Sequence, residues 1–310
     1  MTVTRLPGIS GMQKIEANKF LVIHDAKGGA DKARLGVLQI TSEGPVYKRF
    51  ELTPWPSDQD LPNDIEGVCA IPGRDSEYLI AESGYYPCYG NFGRIIRIRL
   101  RPRTCAAEYA GQFRPFEPPL DKAETKKPDQ IEGIQCVGWG GKVVLLIARR
   151  GHKEKPGTLV WGGLAGIDDA NPTFTITGSH ELTPVAKADR GAADLLARPS
   201  LPGFWEVLSV ASVDSGDLGP FRSSIYCAGL LRIDKKGTPS FVPHTPPSVL
   251  WKLEGLKVEA LAAAAELVTN SFISIATDDE NYGGLWRPLL KTSGPTQFTD
   301  DLLIAKVLSQ

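Results

Sequence analysis

The chain has 310 residues, with 35 Lys and Arg against 36 Asp and Glu, so its net charge is −1. This balance provides no basic excess that would attract nucleic acid or an anionic membrane surface, and we expect neither as a partner. No run approaches the roughly 18 apolar residues of a membrane-spanning helix, and "MTVTRLPGIS" lacks the apolar core of a signal peptide.

Five cysteines are scattered along the chain: Cys69, Cys88, Cys105, Cys136 and Cys227. An odd number without close spacing is typical of reduced thiols, so a cytoplasmic location is expected. Cys69 and Cys136 occupy similar places, two and three residues after an Ile-Glu-Gly triplet. Both are interpreted as small buried apolar residues.

Short apolar runs bounded by turn residues predict β-strands along the whole chain. In order they include "KFLVIHD", "EYLIAESG", "RIIRIRL", "KVVLLIARRG", "SSIYCAG" and "SFISIATDD". The 32 Gly and 24 Pro suit turns at short intervals. The pattern predicts an all-β protein.

One arrangement recurs five times, with copies that open at "GISGMQ", "DIEGVC", "QIEGIQ", "FWEVLS" and "KVEALA". A shared position in these copies holds Ser10, Glu66, Glu132, Glu206 and Glu259, at intervals of 56, 66, 74 and 53 residues. Each interval has room for about four strands and their turns, which is one propeller blade. We therefore predict a single domain over residues 1–310, a β-propeller with five blades.

Two stretches bear on the blade count. The long interval around "HELTPVAKADRGAADLLARPS" at 180–200 has room for a sixth blade, and we interpret it instead as an insertion with one short helix. The run "DLLIAKVL" at 301–308 is expected to close the last blade, because a free edge strand would otherwise remain.

The innermost strand of each blade lines the propeller axis, so residues that open these strands should converge there. The second strand returns to the same face, and its last residues should form a rim around the convergence point. The expected rim residues are His24, Asp25, Glu82, Arg149, Arg150, His152, Asp278 and Asp279. These positions are the candidates for substrate binding and catalysis.

Carboxylates that converge on one axis cannot all stay ionised without compensation, because like charges raise each other's pKa. Three solutions are open at this stage. A hard cation could bind, and Ca²⁺ suits oxygen ligands best. Alternatively, Arg149, Arg150 or Arg94 could form ion pairs with the glutamates, or one glutamate could keep its proton.

Three loops carry further chemistry. "GYYPCYGNFG" at 84–93, with Tyr85 and Tyr86, is aromatic enough to line a pocket or to contact a protein partner. "ARRGHKEK" at 148–155 suits either an anionic substrate or a solvated turn. "DDENYGG" at 278–284 suits either a capped turn or part of the rim.

The segments "DIEGVCAIPGRDSEYLIAESG" and "KVEALAAAAELVTNSFISIATDDENYGG" resemble esterase-like phytase domains, which are calcium-dependent β-propellers. The repeated position also resembles that of gluconolactonases and of calcium-activated apyrases. The resemblance implies Ca²⁺ ligation by Glu66, Glu132, Glu206, Glu259 and Ser10. The chain departs from the pattern in having Ser10 in place of Glu, and Val207 and Ala260 in place of Gly.

These features predict a Ca²⁺-dependent hydrolase of a small ester, lactone or phosphoester. The ion would polarise the substrate, Arg149 or Arg150 would hold an anionic group, and His24 or Asp25 would act as the base. A non-catalytic binding or scaffold propeller is the alternative, with a structural ion or a salt-bridged ring of glutamates. A lyase or isomerase at the same pocket is a third reading.

Overall fold

A computed structural model describes residues 6–29, 31–57, 61–83, 93–101, 104–116, 130–151, 156–183, 185, 190–213 and 215–291. Within these ranges every regular element is a β-strand, apart from the short 3-10 helix Glu280–Tyr282. No helix among them is long and apolar enough to cross a membrane. The predicted all-β fold is confirmed.

Nineteen strands in the described ranges form four sheets, of eight, four, four and three strands. The eight-stranded sheet consists of two antiparallel units joined by a short parallel pairing of β4 with β8, so five units follow one another along the chain. The first unit contains β1 (Gly11–Glu16), β2 (Lys19–Ile23), β3 (Leu35–Thr41) and β4 (Gly44–Leu52). The second contains β5 (Ile65–Ala70), β6 (Glu77–Glu82), β7 (Ile95–Arg101) and β8 (Ala106–Phe113). The third contains β9 (Ile131–Trp139), β10 (Lys142–Arg149), β11 (Thr158–Ala165) and β12 (Thr173–Glu181). The fourth contains β13 (Arg190–Pro199), β14 (Phe204–Val213), β15 (Arg222–Ile233) and β16 (Pro239–Glu254), and the fifth β17 (Val258–Ala263), β18 (Ser271–Thr277) and β19 (Trp286–Leu290).

The second strand of a unit is more buried than its outermost strand. Every residue of β6 is buried, whereas most residues of the outer strand β12 are half-buried or exposed. A strand covered on both faces can be apolar at consecutive positions, which accounts for continuous runs such as "VVLLIA" in β10. The units therefore stack face to face.

The described residues form five buried apolar clusters, one between each pair of neighbouring units. Successive clusters contain Leu21 with Ile80, Leu79 with Leu145, Leu146 with Val207, Val210 with Ile275, and Ala276 with Phe20. The last of these clusters packs the fifth unit against the first. Burial of apolar surface thus closes the ring of units.

The inner strands β1, β5, β9, β13 and β17 each contact the next, and β17 contacts β1. The chain start reinforces this closure, because Leu6 bridges to Gly284 and the backbone N–H of Ile9 donates to the carbonyl of Thr277 at 3.0 Å. The expected closing strand at 301–308 lies outside the described residues.

The interpretation of 180–200 as an insertion with a helix is wrong, because residues 190–199 form β13, the inner strand of the fourth unit. Its Ala- and Leu-rich sequence suits a helix locally, but packing between two sheets overrides that preference. Glu206 consequently lies on β14, the second strand, where Arg198 Nη1 donates to Glu206 Oε2 at 2.8 Å. Its predicted place among the residues that open inner strands is also wrong.

Two glycines allow neighbouring inner strands to approach closely. A Cβ at Gly67 would lie 3.0 Å from the backbone nitrogen of Ile134, and one at Gly133 would lie 2.9 Å from that of Leu195. A side chain at either position would push backbone against backbone. This close approach explains the glycine that follows each glutamate in the second and third copies.

We expect Gly133→Ala to lower the free energy of unfolding by about 1–3 kcal/mol, because the added methyl group overpacks against β13. Gly163→Ala is the matched control, since nothing lies within 4 Å of a Cβ there, and its change should stay within about 0.5 kcal/mol. Urea denaturation measures both. Equal stability of the two variants would contradict the close approach of β9 to β13.

Candidate functional site

Three glutamates open inner strands at β-bulges. Glu66 lies at the point where the β5–β6 register shifts between Ile65 and Gly67, and Glu132 and Glu259 lie at the corresponding shifts in β9 and β17. A bulge leaves one residue unpaired and re-aims its side chain, which is why bulges are common beside functional sites. The repeated position in the sequence therefore has a shared backbone geometry.

A network of cations joins two of these glutamates. Arg190 Nη1 lies 2.5 Å from Glu259 Oε1 and 3.7 Å from Glu132 Oε2. Lys257 Nζ lies 3.1 Å from Glu259 Oε1 and also bonds Glu280. Arg190 is the first residue of β13, so the fourth unit contributes a guanidinium to the axis, where the sequence pattern had placed Glu206.

The third glutamate belongs to a different group of side chains. One oxygen each from Asp25, Asp64 and Glu66 lie within 4.8 Å of one another. Lys27 Nζ lies 2.8 Å from Asp25 Oδ2 and 2.6 Å from Asp64 Oδ1. Among the described residues, Glu66 forms no hydrogen bond or ion pair.

Asp64 is a functional candidate that the sequence reasoning missed. It immediately precedes β5 and is buried, with a φ of 55°, the left-handed region that Asp tolerates better than most residues. Its Oδ2 is buried without a hydrogen-bond donor in the described part of the chain. The signal was present in "NDIEG", where an aspartate stands two residues before the glutamate.

Burial and mutual repulsion act on the pKa of the converging carboxyls. Burial raises the pKa of Glu66 well above its usual value, and the charges of Glu132, Asp64 and Glu259 raise it further. Burial also raises the pKa of Glu132 to about 7, although Arg150 and Arg190 oppose this shift. Arg150 Nη1 lies 3.6 Å from Glu132 Oε1.

Asp278 connects the two groups. Burial raises its pKa to about 7, the charges of Glu259 and Asp25 add to the shift, and Lys257 opposes it. A Cβ at Gly8 would overlap the Asp278 carboxylate, so the chain start packs directly against this side chain. We call Asp25, Asp64, Glu66, Glu132, Glu259 and Asp278 the axial cluster.

His24 directly follows β2, at the end of a second strand, as the sequence predicts. It is buried, its Nδ1 donates to the carbonyl of Gly8, and its Nε2 accepts from the Tyr47 hydroxyl at 3.0 Å. Burial lowers its pKa, although the hydrogen bond to Gly8 and the charge of Asp25 oppose this shift. Both ring nitrogens take part in hydrogen bonds within the protein, and the role of His24 as general base stays a prediction.

Two predicted substrate-binding residues accept hydrogen bonds from other parts of the protein. Glu82 is buried, and it accepts from Arg94 Nη2 at 2.6 Å and from the backbone N–H of Asn63 at 3.1 Å. Asp279 accepts from the backbone N–H of Lys257 and from the Thr277 hydroxyl, each at 2.7 Å. Both carboxylates already accept hydrogen bonds within the protein, and their role in substrate binding stays a prediction.

The other residues that the sequence predicts for the site differ in their distance from the axial cluster. Arg149 stacks over the Phe116 ring at 4.6 Å, whereas the next residue, Arg150, faces Glu132. Ser10 is fully buried just before β1, and among the described residues its hydroxyl has no hydrogen-bond partner. Tyr85, Tyr86 and His152 lie outside the described residues.

The carboxylate oxygens of Asp25, Asp64 and Glu66 are suitable ligands for a hard cation. One buried oxygen of Asp64 has no donor among the residues that the structure describes. Lys27 already neutralises two of these carboxylates. A divalent ion would therefore have to displace the Lys27 ammonium.

Comparisons with known proteins show the fold. No family model and no curated protein matches the chain. An exo-1,5-alpha-L-arabinanase from a bovine ruminal metagenomic library aligns over 94% of this chain and 96% of its own, with a TM-score of 0.53 and 9% identity. The alpha-L-arabinanase of Cellvibrio cellulosa, solved with arabinohexaose, aligns over 94% of both chains with a TM-score of 0.52 and 10% identity.

These neighbours support the propeller fold that the sequence resemblance implied. They give no support to the phytase and gluconolactonase families named there. Identity at this level extends the likeness to the fold alone.

The raised pKa of Asp278 predicts a pH dependence of stability. Its ordinary value is 3.8 and its folded value is about 7, so between these limits the folded chain keeps a proton that the unfolded chain releases. The free energy of unfolding should therefore fall as pH rises from about 4 to 7. Glu132, with a pKa of about 7, contributes in the same direction.

Asp278→Asn should flatten this slope, because the amide does not titrate. Asp168→Asn is the control: Asp168 is exposed, and Arg74 lowers its pKa, so its removal should leave the slope between pH 4 and 7 unchanged. Thermal unfolding in a pH series measures the effect. An unchanged slope in Asp278→Asn would show that this carboxyl ionises normally.

Proposed function

We propose that the protein is a hydrolase of glycosidic bonds, with the axial cluster as its acid–base machinery. The observation that carries this proposal is the unequal partnering of three adjacent carboxyls. Lys27 forms ion pairs with Asp25 and Asp64, whereas Glu66 has no donor among the described residues. Two carboxyls in different protonation states are what glycoside hydrolysis requires.

In this proposal Glu66 is the general acid. Its raised pKa favours the protonated form, and that proton would pass to the oxygen of the leaving sugar. Asp25 or Asp64 then acts as base or nucleophile on the opposite side of the bond. Their negative charge also stabilises the positive charge that develops on the sugar ring in the transition state.

The charges of the site favour a neutral substrate over an anionic one. Arg150, Arg190, Lys257 and Lys27 all lie against carboxylates of the cluster or its edge. They offset acidic charge there and leave no surplus of positive charge for a phosphate or carboxylate. A saccharide fits this environment, and the shared fold with two arabinanases supports the same class.

A Ca²⁺-dependent hydrolase of an ester, lactone or phosphoester is the second candidate. The compact oxygen set of Asp25, Asp64 and Glu66 favours it, since a bound cation would polarise a carbonyl or phosphoryl oxygen. This candidate requires the Lys27 ammonium to leave two carboxylates. Lys27→Met should then strengthen cation binding, because the competing charge is gone.

The first test compares wild type with Glu66→Gln on arabino-oligosaccharides and on 4-nitrophenyl glycosides. We expect kcat/KM on oligosaccharides to fall by about 10²–10⁴-fold, because their poor leaving group needs a proton. Activated nitrophenyl substrates should be affected much less. Glu206→Gln is the matched control, since this glutamate lies off the axis beside Arg198, and its activity should match wild type.

Chelation of divalent cations distinguishes the two candidate functions. Activity that survives EDTA supports the carboxylate mechanism. Loss of ester, lactone or phosphoester hydrolysis on chelation, restored by Ca²⁺ together with the melting temperature, supports the cation-dependent one. If no substrate of any class is turned over, the axial cluster is the salt-bridged centre of a binding propeller, and both enzymatic proposals fail.

A further inference from the structure

Two free thiols face each other across the boundary between the second and third units. Cys69 Sγ lies 3.3 Å from Cys136 Sγ, and neither cysteine is in a disulfide. Cys69 lies on β5 and Cys136 on β9, three and four residues after Glu66 and Glu132. The sequence predicts both as small apolar residues, and the structure places them in direct contact.

The backbones of β5 and β9 approach each other closely at this boundary. A Cβ at Gly67 would lie 3.0 Å from the backbone nitrogen of Ile134. Cys69 and Cys136 each lie two residues farther along these strands, on the same faces as Gly67 and Ile134. A disulfide needs Cα atoms about 4.4–6.8 Å apart, and two strands in such contact can provide that spacing.

The two thiols differ in access. Cys69 is 1% exposed, and burial raises the pKa of its thiol, with a further contribution from Cys136. Cys136 is partly exposed. An oxidant from solvent therefore reaches Cys136 first.

We propose that Cys69 and Cys136 are a reversible dithiol–disulfide pair that links the second and third units. Peroxide oxidises the Cys136 thiolate to a sulfenic acid, and one peroxide oxygen leaves as hydroxide. The Cys69 thiol then attacks the Cys136 sulfur, forms the S–S bond and expels water. The net reaction consumes one peroxide and two thiols, and it yields one disulfide and two waters.

This bond would join strands that no sheet connects. β5 ends one sheet and β9 ends the next, and side-chain packing holds them together. A disulfide there would fix the spacing of the two strands that carry Glu66 and Glu132. Because it restricts the unfolded chain, it should also raise the melting temperature, by about 5 °C.

The test oxidises the native full-length protein with hydrogen peroxide, alkylates the remaining thiols and digests with trypsin without reduction. Trypsin releases Cys69 in peptide 50–74 and Cys136 in peptide 127–142. We expect these two peptides as one cross-linked species, and a higher melting temperature that dithiothreitol reverses. Cys69→Ala and Cys136→Ala should each abolish both effects, whereas Cys227→Ala should keep them.

Peptide mapping of wild type does not depend on how well the variants fold. The proposal is overturned if both peptides remain alkylated after oxidation of the native protein. It is also overturned if the cross-link appears only after urea unfolding, since the two thiols would then meet only in the unfolded chain.

Discussion

Repulsion among carboxylates at the propeller axis is the constraint on which the rest of the structure depends. Burial and neighbouring charges raise the pKa of Glu66, Glu132 and Asp278 together, which is the signature of acidic groups crowded into one place. Buried charges cost several kcal/mol unless they are paired. Arg190 supplies that pairing for Glu259 and lies close to Glu132, so the inner strands can close around the cluster.

The apolar clusters between units bring the inner strands together, and the bulges orient the glutamates on those strands. Packing between neighbouring sheets, including the fifth against the first, brings five inner strands into a ring. A bulge at the same position on three of them turns a glutamate inward. The result is asymmetric, because Lys27 pairs with Asp25 and Asp64 while Arg190 and Lys257 pair with Glu259. Within the part of the chain that the structure describes, Glu66 has no donor. That asymmetry makes the cluster suited to acid–base chemistry.

The repeated local signature was enough to predict the propeller and to select Glu66, Glu132 and Glu259, because the same apolar-Glu-Gly motif meets the same backbone geometry in each copy. The fourth copy lacks the glycine, and there the local pattern gives a wrong prediction. Glu206 has a similar sequence context but lies on a second strand, and the Ala-rich β13 that carries Arg190 has a sequence typical of a helix. For His24 and Glu82, strand periodicity does not reveal their partners Tyr47 and Arg94, which approach from other strands. Pairings of this kind depend on packing that the local sequence does not encode.

A double-mutant cycle between Arg190 and Glu259 tests the central claim most directly. Arg190→Met alone leaves buried carboxylates without their cation, so it should cost about 3–5 kcal/mol of unfolding free energy. Adding Glu259→Gln removes much of the uncompensated charge, so the double variant should be at least about 1.5 kcal/mol more stable than the sum of the single changes predicts. Additivity of the two changes within about 0.5 kcal/mol would contradict the account, because it would mean that Arg190 does not offset the charge of the axial carboxylates.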